Sequence, residues 1–215
     1  MTLTMIPATD TLTGVHSATV LRERLDRAVD QEETVSLGLI DMDNFKGVND
    51  THGHTAGDAL LQALGRKLRE LSEETGGFAG RLGGDEFAIV LPGVQLEDAF
   101  LRLERFRAEV AAEKGMLPSA PDYQLGISIG LANCPRDVQS AADMLSRADQ
   151  ALWLAKQSGR NAVALPPSEE MVLKTCHYTK AQVGRLKMLA ERRSVKESTL
   201  LREALDDLLR KHDVR

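Results

Sequence analysis

Asp85 and Glu86 sit side by side in "FAGRLGGDEFAIVLPG" (Phe78–Gly93), between apolar residues that otherwise read as strand. Adjacent acids inside a sheet need solvent, a partner or a ligand, because burying an unpaired charge is costly. A second acidic concentration lies in "LIDMDNFKGVNDTHGHTAGD", where Asp41 closes an apolar strand and Asp43, Asn49, Asp50 and Asp58 follow. A calcium loop of the EF-hand type starting at Asp41 fails. It needs glycine at its sixth position and glutamate at its twelfth, where this chain has Lys46 and His52. No G-x-x-x-x-G-K-[ST] loop is present, which excludes an ordinary P-loop nucleotidase. What remains is a carboxylate at a strand end facing a carboxylate on a hairpin turn. Mg²⁺ suits such a set, since it takes one or two protein carboxylates and completes its shell with water and substrate phosphates. Two such ions activate a hydroxyl and neutralise charge developing on a phosphoryl group. The structural alternative is that Asp41 caps a helix and Asp85 merely suits a turn.

The elements that must hold these acids are legible from periodicity. Ala18–Gln31 has apolar residues at helical spacing, and Thr34–Met42 reads as a buried strand. His54–Glu74 is an amphipathic helix. Phe78–Arg81 and Glu86–Leu91 form two short strands joined across Gly83-Gly84, a glycine pair that supplies the positive φ of a tight turn. Leu96–Lys114 is a helix, Tyr123–Asn133 a strand, Ala141–Gly159 a helix stopped by glycine, and Arg160–Leu165 a last strand. Helices alternating with hairpin-paired strands predict an α+β sandwich with a central mixed or antiparallel sheet.

"LPPSEE" (Leu165–Glu170) marks a boundary, since two prolines and a polar cluster end the sheet pattern. Charge changes there too. From Met171 onward eleven Lys and Arg face six Asp and Glu, a net +5, which leaves −10 for the first 170 residues of a chain whose total is −5. An acidic body with a basic tail suggests two modules, the second facing a polyanion, although a helical tail that solvates one face with Lys and Arg gives the same count. The two cysteines, Cys134 and Cys176, have no metal-type spacing. No apolar run is long enough to span a bilayer, and the first residues lack the pattern of a signal peptide. A cytoplasmic location without membrane contact is the expectation.

"GGDEF" (Gly83–Phe87), preceded by Arg81, resembles the signature of the GGDEF family, the diguanylate cyclases. The resemblance spans about residues 8–165. "DTLTG" (Asp10–Gly14), "IDMDNFKGVNDTHGHTAGD" (Ile40–Asp58), "SIGLA" (Ser128–Ala132) and "ADQALWLAKQSGRN" (Ala148–Asn161) resemble further family motifs in the same order. The family condenses two GTP into cyclic di-GMP on a palm-like nucleotidyl cyclase fold. Carried over by position, the resemblance implies that Asp41, Asp85 and Glu86 are the catalytic carboxylates. They would hold Mg²⁺ with the Met42 carbonyl as an extra ligand, two ions per site, Mn²⁺ being able to replace them. Gly83 and Gly84 would let the backbone approach the α- and β-phosphates. Phe45 and Lys46 would open the turn over the γ-phosphate, with Lys156 and Arg160 adding contacts to the triphosphate. Asn49 and Asp58 would read the guanine edge; relatives making mixed cyclic dinucleotides carry serine at the place of Asp58. Ser17 replaces a usual asparagine and Trp153 a usual tyrosine, both expected to be structural. Product-inhibited relatives carry Arg-x-x-Asp where this chain has Glu74-Thr75-Gly76-Gly77, so feedback inhibition at that surface is not expected.

Leu173–Lys211 resembles a ribbon-helix-helix domain of the Arc/MetJ/CopG kind, a strand-helix-helix unit stable as an intertwined dimer. "MVLKTCHY" would be the strand, Thr179 an N-cap, and two helices would run to about Arg193 and from Val195 to about His212. Val183, Leu186 and Leu189 on the first helix, and Val195, Leu200, Leu201, Ala204, Leu205 and Leu208 on the second, are expected to pack. Strand alternation points Cys176 and Tyr178 inward and Leu173, Thr175 and His177 outward, toward double-stranded DNA. The organisation expected is therefore a cyclase domain over 1–165, a linker over 166–170 and a dimerising, DNA-binding domain over 171–215. Two functions compete. One is a homodimeric diguanylate cyclase acting on GTP and tethered to DNA by its tail; the other is a DNA-binding regulator whose cyclase fold senses GTP or cyclic di-GMP.

Overall fold

A computed structural model describes residues 8–167, 176–193 and 196–211. The chain divides into two compact units, Met1–Glu169 and Glu170–Arg215. In the first unit the elements are β1 (His16–Ser17), α1 (Ala18–Gln31), β2 (Val35–Met42), α2 (Phe45–His52), α3 (His54–Thr75), β3 (Phe78–Gly83), β4 (Glu86–Pro92), α4 (Leu96–Ala112), β5 (Ile127–Cys134), α5 (Ala141–Gln157) and β6 (Val163–Ala164). The six strands form one mixed sheet in the order β1-β3-β4-β2-β5-β6. β2 lies at its centre, antiparallel to both β4 and β5, while the edge pairs β1–β3 and β5–β6 are parallel.

Alternation along β2 sends side chains to two cores. Ile40 and Met42 pack with α3 and α4 residues such as Leu60, Leu64, Leu103 and Phe106. Leu37 and Leu39 pack with Leu21 and Leu25 of α1 and Met144 and Leu152 of α5. The sheet is thus covered on both faces, which explains why β2 and β5 read as continuous apolar runs. At the end of β2 and β5 away from Asp41, Asn133 Nδ2 donates to Thr34 Oγ1 at 3.0 Å and to Ser36 Oγ at 2.9 Å. A one-residue slip of the two strands would leave these buried groups unpaired, so they fix register as well as contribute bonds.

Several sequence expectations change. The strand expected from Tyr123 begins only at Ile127, because Gly115 N–H to Pro121 O and Tyr123 N–H to Ala120 O wind residues 115–123 into a closed loop. The strand expected over Arg160–Leu165 shrinks to Val163–Ala164, since Arg160 and Asn161 adopt left-handed φ of 64° and 44°. The eight-residue helix α2, whose large apolar residues are only Phe45 and Val48, and the two-residue β1 were not anticipated. Trp153, expected to be structural, is 60% exposed on α5. No helix among the described residues is long and apolar enough to cross a membrane.

In the second unit α6 (Lys180–Arg193) and α7 (Glu197–Lys211) are joined by an ion pair from Arg193 to Glu203 at 3.2 Å. Thr179 is the expected cap: its Oγ1 accepts from Gln182 N–H at 3.2 Å while Gln182 Oε1 accepts from Thr179 N–H at 2.9 Å, a reciprocal box. The strand expectation falls partly on residues 171–175, outside the described ones; Cys176, His177 and Tyr178 have no regular structure. Ala190 and Leu200 are buried, but Val183, Leu189, Leu201, Leu205 and Leu208, assigned by spacing to packing, are exposed. Tyr178, expected to point inward, is exposed as well.

Close approach of α5 to β5 depends on Gly130. A Cβ there would stand 2.0 Å from the Ala148 carbonyl oxygen and 2.2 Å from the Leu152 nitrogen, both backbone atoms that cannot swing away. Gly130→Ala should therefore cost about 3 kcal/mol or more of unfolding free energy, the upper range for overpacking. Urea denaturation of the variant beside wild type checks this; a loss under about 1 kcal/mol would show that α5 can lift without penalty.

Candidate active site

Asp41 lies one residue from the end of β2 and pairs in register with Glu86 on β4 and Ser128 on β5. The turn between β3 and β4 carries Gly83, Gly84 and Asp85, and the Asp85 carbonyl accepts from Met42 N–H at 3.4 Å. The sheet thus brings Asp41, Met42, Asp85 and Glu86 to one end of neighbouring strands. Alternation puts Asp41 on the side of Leu39, and Glu86 on the side of Ala88, both the α1/α5 face. Lys156 reaches Asp41 from the last turn of α5, Nζ to Oδ2 at 2.7 Å.

Asp41 is largely buried. Burial pushes its pKa up from the ordinary carboxylate range; the Lys156 hydrogen bond and charge oppose this, while the nearby Asp85 and Asp43 carboxylates push it further up. Such a site attracts a cation. Among the described residues no three His, Cys, Asp or Glu side chains are gathered into a metal cage. The donors present are hard oxygens from Asp41, Asp85 and Glu86, few in number. That fits Mg²⁺, which keeps water and substrate oxygens in most of its shell.

The backbone of the turn is open. At Gly83 and Gly84 an added Cβ would meet no atom within 4 Å, so no protein neighbour claims that space; Gly84 also has a left-handed φ of 51°. Arg81 braces the turn from below, its Nε and Nη2 donating to the Gly84 carbonyl at 2.9 and 2.6 Å and its Nη1 to Asp10 Oδ1 at 3.3 Å. Asp10 accepts from Thr13 N–H and Oγ1–H as well. Burial works to raise the Asp10 pKa, but the Thr13 hydrogen bonds and the Arg81 charge outweigh it and hold it low.

Two residues beyond Asp41, Asp43 is buried and fully used. Its Oδ1 accepts from Ser128 Oγ–H at 2.7 Å and its Oδ2 from Asn161 N–H at 2.8 Å. Asn161 is further tied by Arg107 at 3.2 Å, and Glu104 accepts from Val163 N–H at 3.0 Å. This network fixes the turn that presents Arg160, which is exposed. The sequence reading left Asp43 without a role. The polar Ser128 between Ile127 and Ile129 was the available signal for its partner.

α2 starts at Phe45, so Phe45 and Lys46 form the first helical turn rather than an irregular one. Its N-cap, Asn44, has a left-handed φ of 58° and makes no side-chain cap, which leaves the first N–H groups for solvent or a ligand. Asn49 follows on α2, and its Oδ1 is buried with no hydrogen-bond partner. Gly57 on α3 makes room for it: a Cβ there would stand 2.1 Å from that oxygen. Asp58, the next residue on α3, is exposed. Of the DNA-facing expectations, Leu173 and Thr175 lie outside the described residues, and His177 is exposed. Glu74 pairs with Arg105 at 3.8 Å.

Comparison with known proteins agrees with this architecture. Residues 7–162 match the diguanylate cyclase GGDEF domain, and residues 175–213 match the ribbon-helix-helix domain. The chain is 36% identical over 150 residues to diguanylate cyclase A of Treponema denticola, covering 68% of this chain and 40% of the relative. It is 35% identical over 163 residues to the probable diguanylate cyclase DgcC of Escherichia coli, covering 74% and 43%. Among solved structures it is similar to the GGDEF domain of DgcB from Caulobacter crescentus in complex with c-di-GMP. There the TM-score is 0.68 and the identity 32%, with 74% of this chain and 96% of that one covered. This chain belongs to the GGDEF family of diguanylate cyclase domains and carries a C-terminal ribbon-helix-helix domain. It spans less than half the length of these two curated relatives.

The raised pKa of Asp41 has a sign for stability. Its folded form binds a proton more tightly than its unfolded form, so its contribution is favourable below the unfolded pKa and is lost as pH rises through the folded one. Asp41→Asn should therefore be at least as stable as wild type at pH 7, with its advantage growing from pH 4 to pH 7. Melting temperatures across that range check it; a variant several degrees less stable at pH 7 would show that the ionised carboxylate supports the fold.

Proposed function

We propose that this chain is a diguanylate cyclase that condenses two GTP into cyclic di-GMP and two pyrophosphates, dimerised and tethered to double-stranded DNA by its C-terminal unit. The observation that carries the reading is the convergence of Asp41, Asp85 and Glu86 at the open glycine turn, with Asn49 holding an unpaired buried acceptor nearby in the chain. An unpaired oxygen calls for a donor on the ligand, and guanine offers N1–H and N2–H₂ on one edge. Asn49 and Asp58 accepting there would disfavour adenine, whose corresponding edge would leave an acceptor unmatched.

Each protomer would hold one GTP. The uncapped start of α2 at Phe45 and Lys46 and the open turn at Gly83 and Gly84 would take the phosphates through backbone N–H groups. Lys156 would leave Asp41 for the triphosphate as substrate arrives, exchanging one anion for another, and Arg160 would add a second charge-assisted contact. Asp41, Asp85, Glu86 and the Met42 carbonyl would hold Mg²⁺, which when bound supplies charge neutralisation at the phosphates and a more acidic 3′-hydroxyl. In the reaction the 3′-oxygen of one GTP bonds to the α-phosphorus of the other, the α–β phosphoanhydride bond breaks, and pyrophosphate departs. The hydroxyl proton passes to solvent beside the exposed Glu86. Repetition in the opposite sense closes the ring.

Incubating the full chain with GTP and Mg²⁺ should yield cyclic di-GMP and pyrophosphate, and Asp85→Ala should lower that rate by about 10³-fold, the scale for losing a charge-stabilising group. Circular dichroism should show the variant folded, since Asp85 lies on a turn outside both cores. Wild-type turnover that survives Asp85→Ala would refute the carboxylate assignment, and no product from wild type would refute the cyclase reading.

The exposed Val183, Leu189, Leu201, Leu205 and Leu208 support dimerisation through the tail, because so small a unit rarely buries enough apolar surface alone. A second copy would cover them, and linked active sites would meet at an effective concentration in the millimolar range expected of short linkers. A chain ending at Leu165 should be slow when dilute and recover with concentration, whereas the full chain should stay active when dilute. The full chain should also retard duplex DNA with an affinity falling steeply with salt. Equal specific activity of both chains at every concentration would refute the tail as dimeriser; no retardation at low salt would refute DNA tethering.

A further inference from the structure

A cavity of about 200 Å³ lies between α1, α5 and the sheet, and of its lining the proposed reaction uses only Glu86. Its walls are apolar, made chiefly by Leu39, Leu82, Leu145 and Leu152. Its rim is charged: Glu86 from β4, Asp149 from α5 and Arg22 from α1. All three rim residues are exposed, and none forms an ion pair with a described residue. The cavity shares the α1/α5 face with Asp41 and Glu86, as strand alternation requires.

Size and charge together define an occupant. A dry cavity of about 150 Å³ holds a benzene ring. The larger space here accepts one ring with a short chain. Two carboxylates against one guanidinium make the mouth net anionic, so the chain's end should be cationic. We propose that this cavity is a regulatory site for a small amphipathic amine, with its apolar body among the leucines and its ammonium shared by Asp149 and Glu86. An ammonium on Glu86 draws that carboxylate away from the reacting phosphates, so the occupied state turns over more slowly. Binding stands on the cavity alone; the effect on turnover rests on the functional reading of Glu86 given above.

The test uses 2-phenylethylamine and the full chain, first without GTP or metal. Leucine methyl NMR should show saturable shifts at Leu39, Leu82, Leu145 and Leu152. Asp149→Asn should weaken binding by about threefold, the scale of one exposed charge pair. 2-Phenylethanol, which lacks the ammonium, should also bind more weakly, and propylamine, which lacks the ring, should leave the methyls unshifted. Leu145→Trp fills the cavity and should abolish the response. Unshifted methyls with 2-phenylethylamine, or equal affinity for the amine and the alcohol, would overturn the site as described. If Leu145→Trp fails to fold, the Asp149→Asn and alcohol comparisons still decide. In the turnover assay the amine should inhibit wild type, and less so as Mg²⁺ is raised. Saturable binding without inhibition would overturn the regulatory role while leaving the cyclase reading intact. Absence of turnover before any amine is added would count against the cyclase reading and not against the site.

Discussion

A partly buried carboxylate among other carboxylates is the constraint from which the rest of the first unit follows. Asp41 sits on the central strand, opposite Glu86, with Asp85 and Asp43 close enough to disfavour its charge. A fold built only for stability would place an apolar residue there. Instead α5 is brought down over β5 at Gly130 so that Lys156 can reach Asp41. The ion pair offsets part of the repulsion, but it is half-open to solvent and exchangeable. On the function proposed above, a metal ion would take its place.

Around that exchangeable centre the scaffold is tied with bonds that have no such freedom. Asp43 joins β2, β5 and the Arg160 turn through Ser128 and Asn161, using both its oxygens. Arg81 joins β3 to the carbonyl of Gly84 and to Asp10, itself fixed by Thr13. Chemically similar residues therefore divide by role. Those with every hydrogen-bonding group satisfied locate the backbone, while Asn49, Glu86 and the turn glycines keep unused capacity for a ligand. Placing the unsatisfied groups on strand ends and short helices keeps them positioned without a partner.

The strands and long helices were legible because burial writes itself as periodicity: α1, β2, α3, β3, β4 and α5 stand close to where alternation and 3.6-residue spacing put them. The residues proposed for the site were picked out by their motif, not by composition. What escaped were features whose cause is tertiary. α2 has too few apolar residues to announce a helix and is held by packing on α3. The loop before β5 looks extended in sequence because Tyr123 and Leu125 are apolar, but turn hydrogen bonds around Pro121 bend it. Asp43 could not be told from its neighbours, since only the fold shows which carboxylate faces Ser128.

The second unit poses the reverse problem, an apolar pattern without enough chain to bury it. Leu201, Leu205 and Leu208 line one side of α7 at spacings of three and four, yet a single copy leaves them exposed. The capping box at Thr179 and the Arg193–Glu203 pair define the helices locally, but neither can replace a core. Burial must come from a second chain or another surface. A dinucleotide-forming cyclase has the same requirement for a different reason, because one site holds one nucleotide and the product contains two. If the first unit is the cyclase proposed above and the tail pairs with a second copy, one association event would satisfy both requirements.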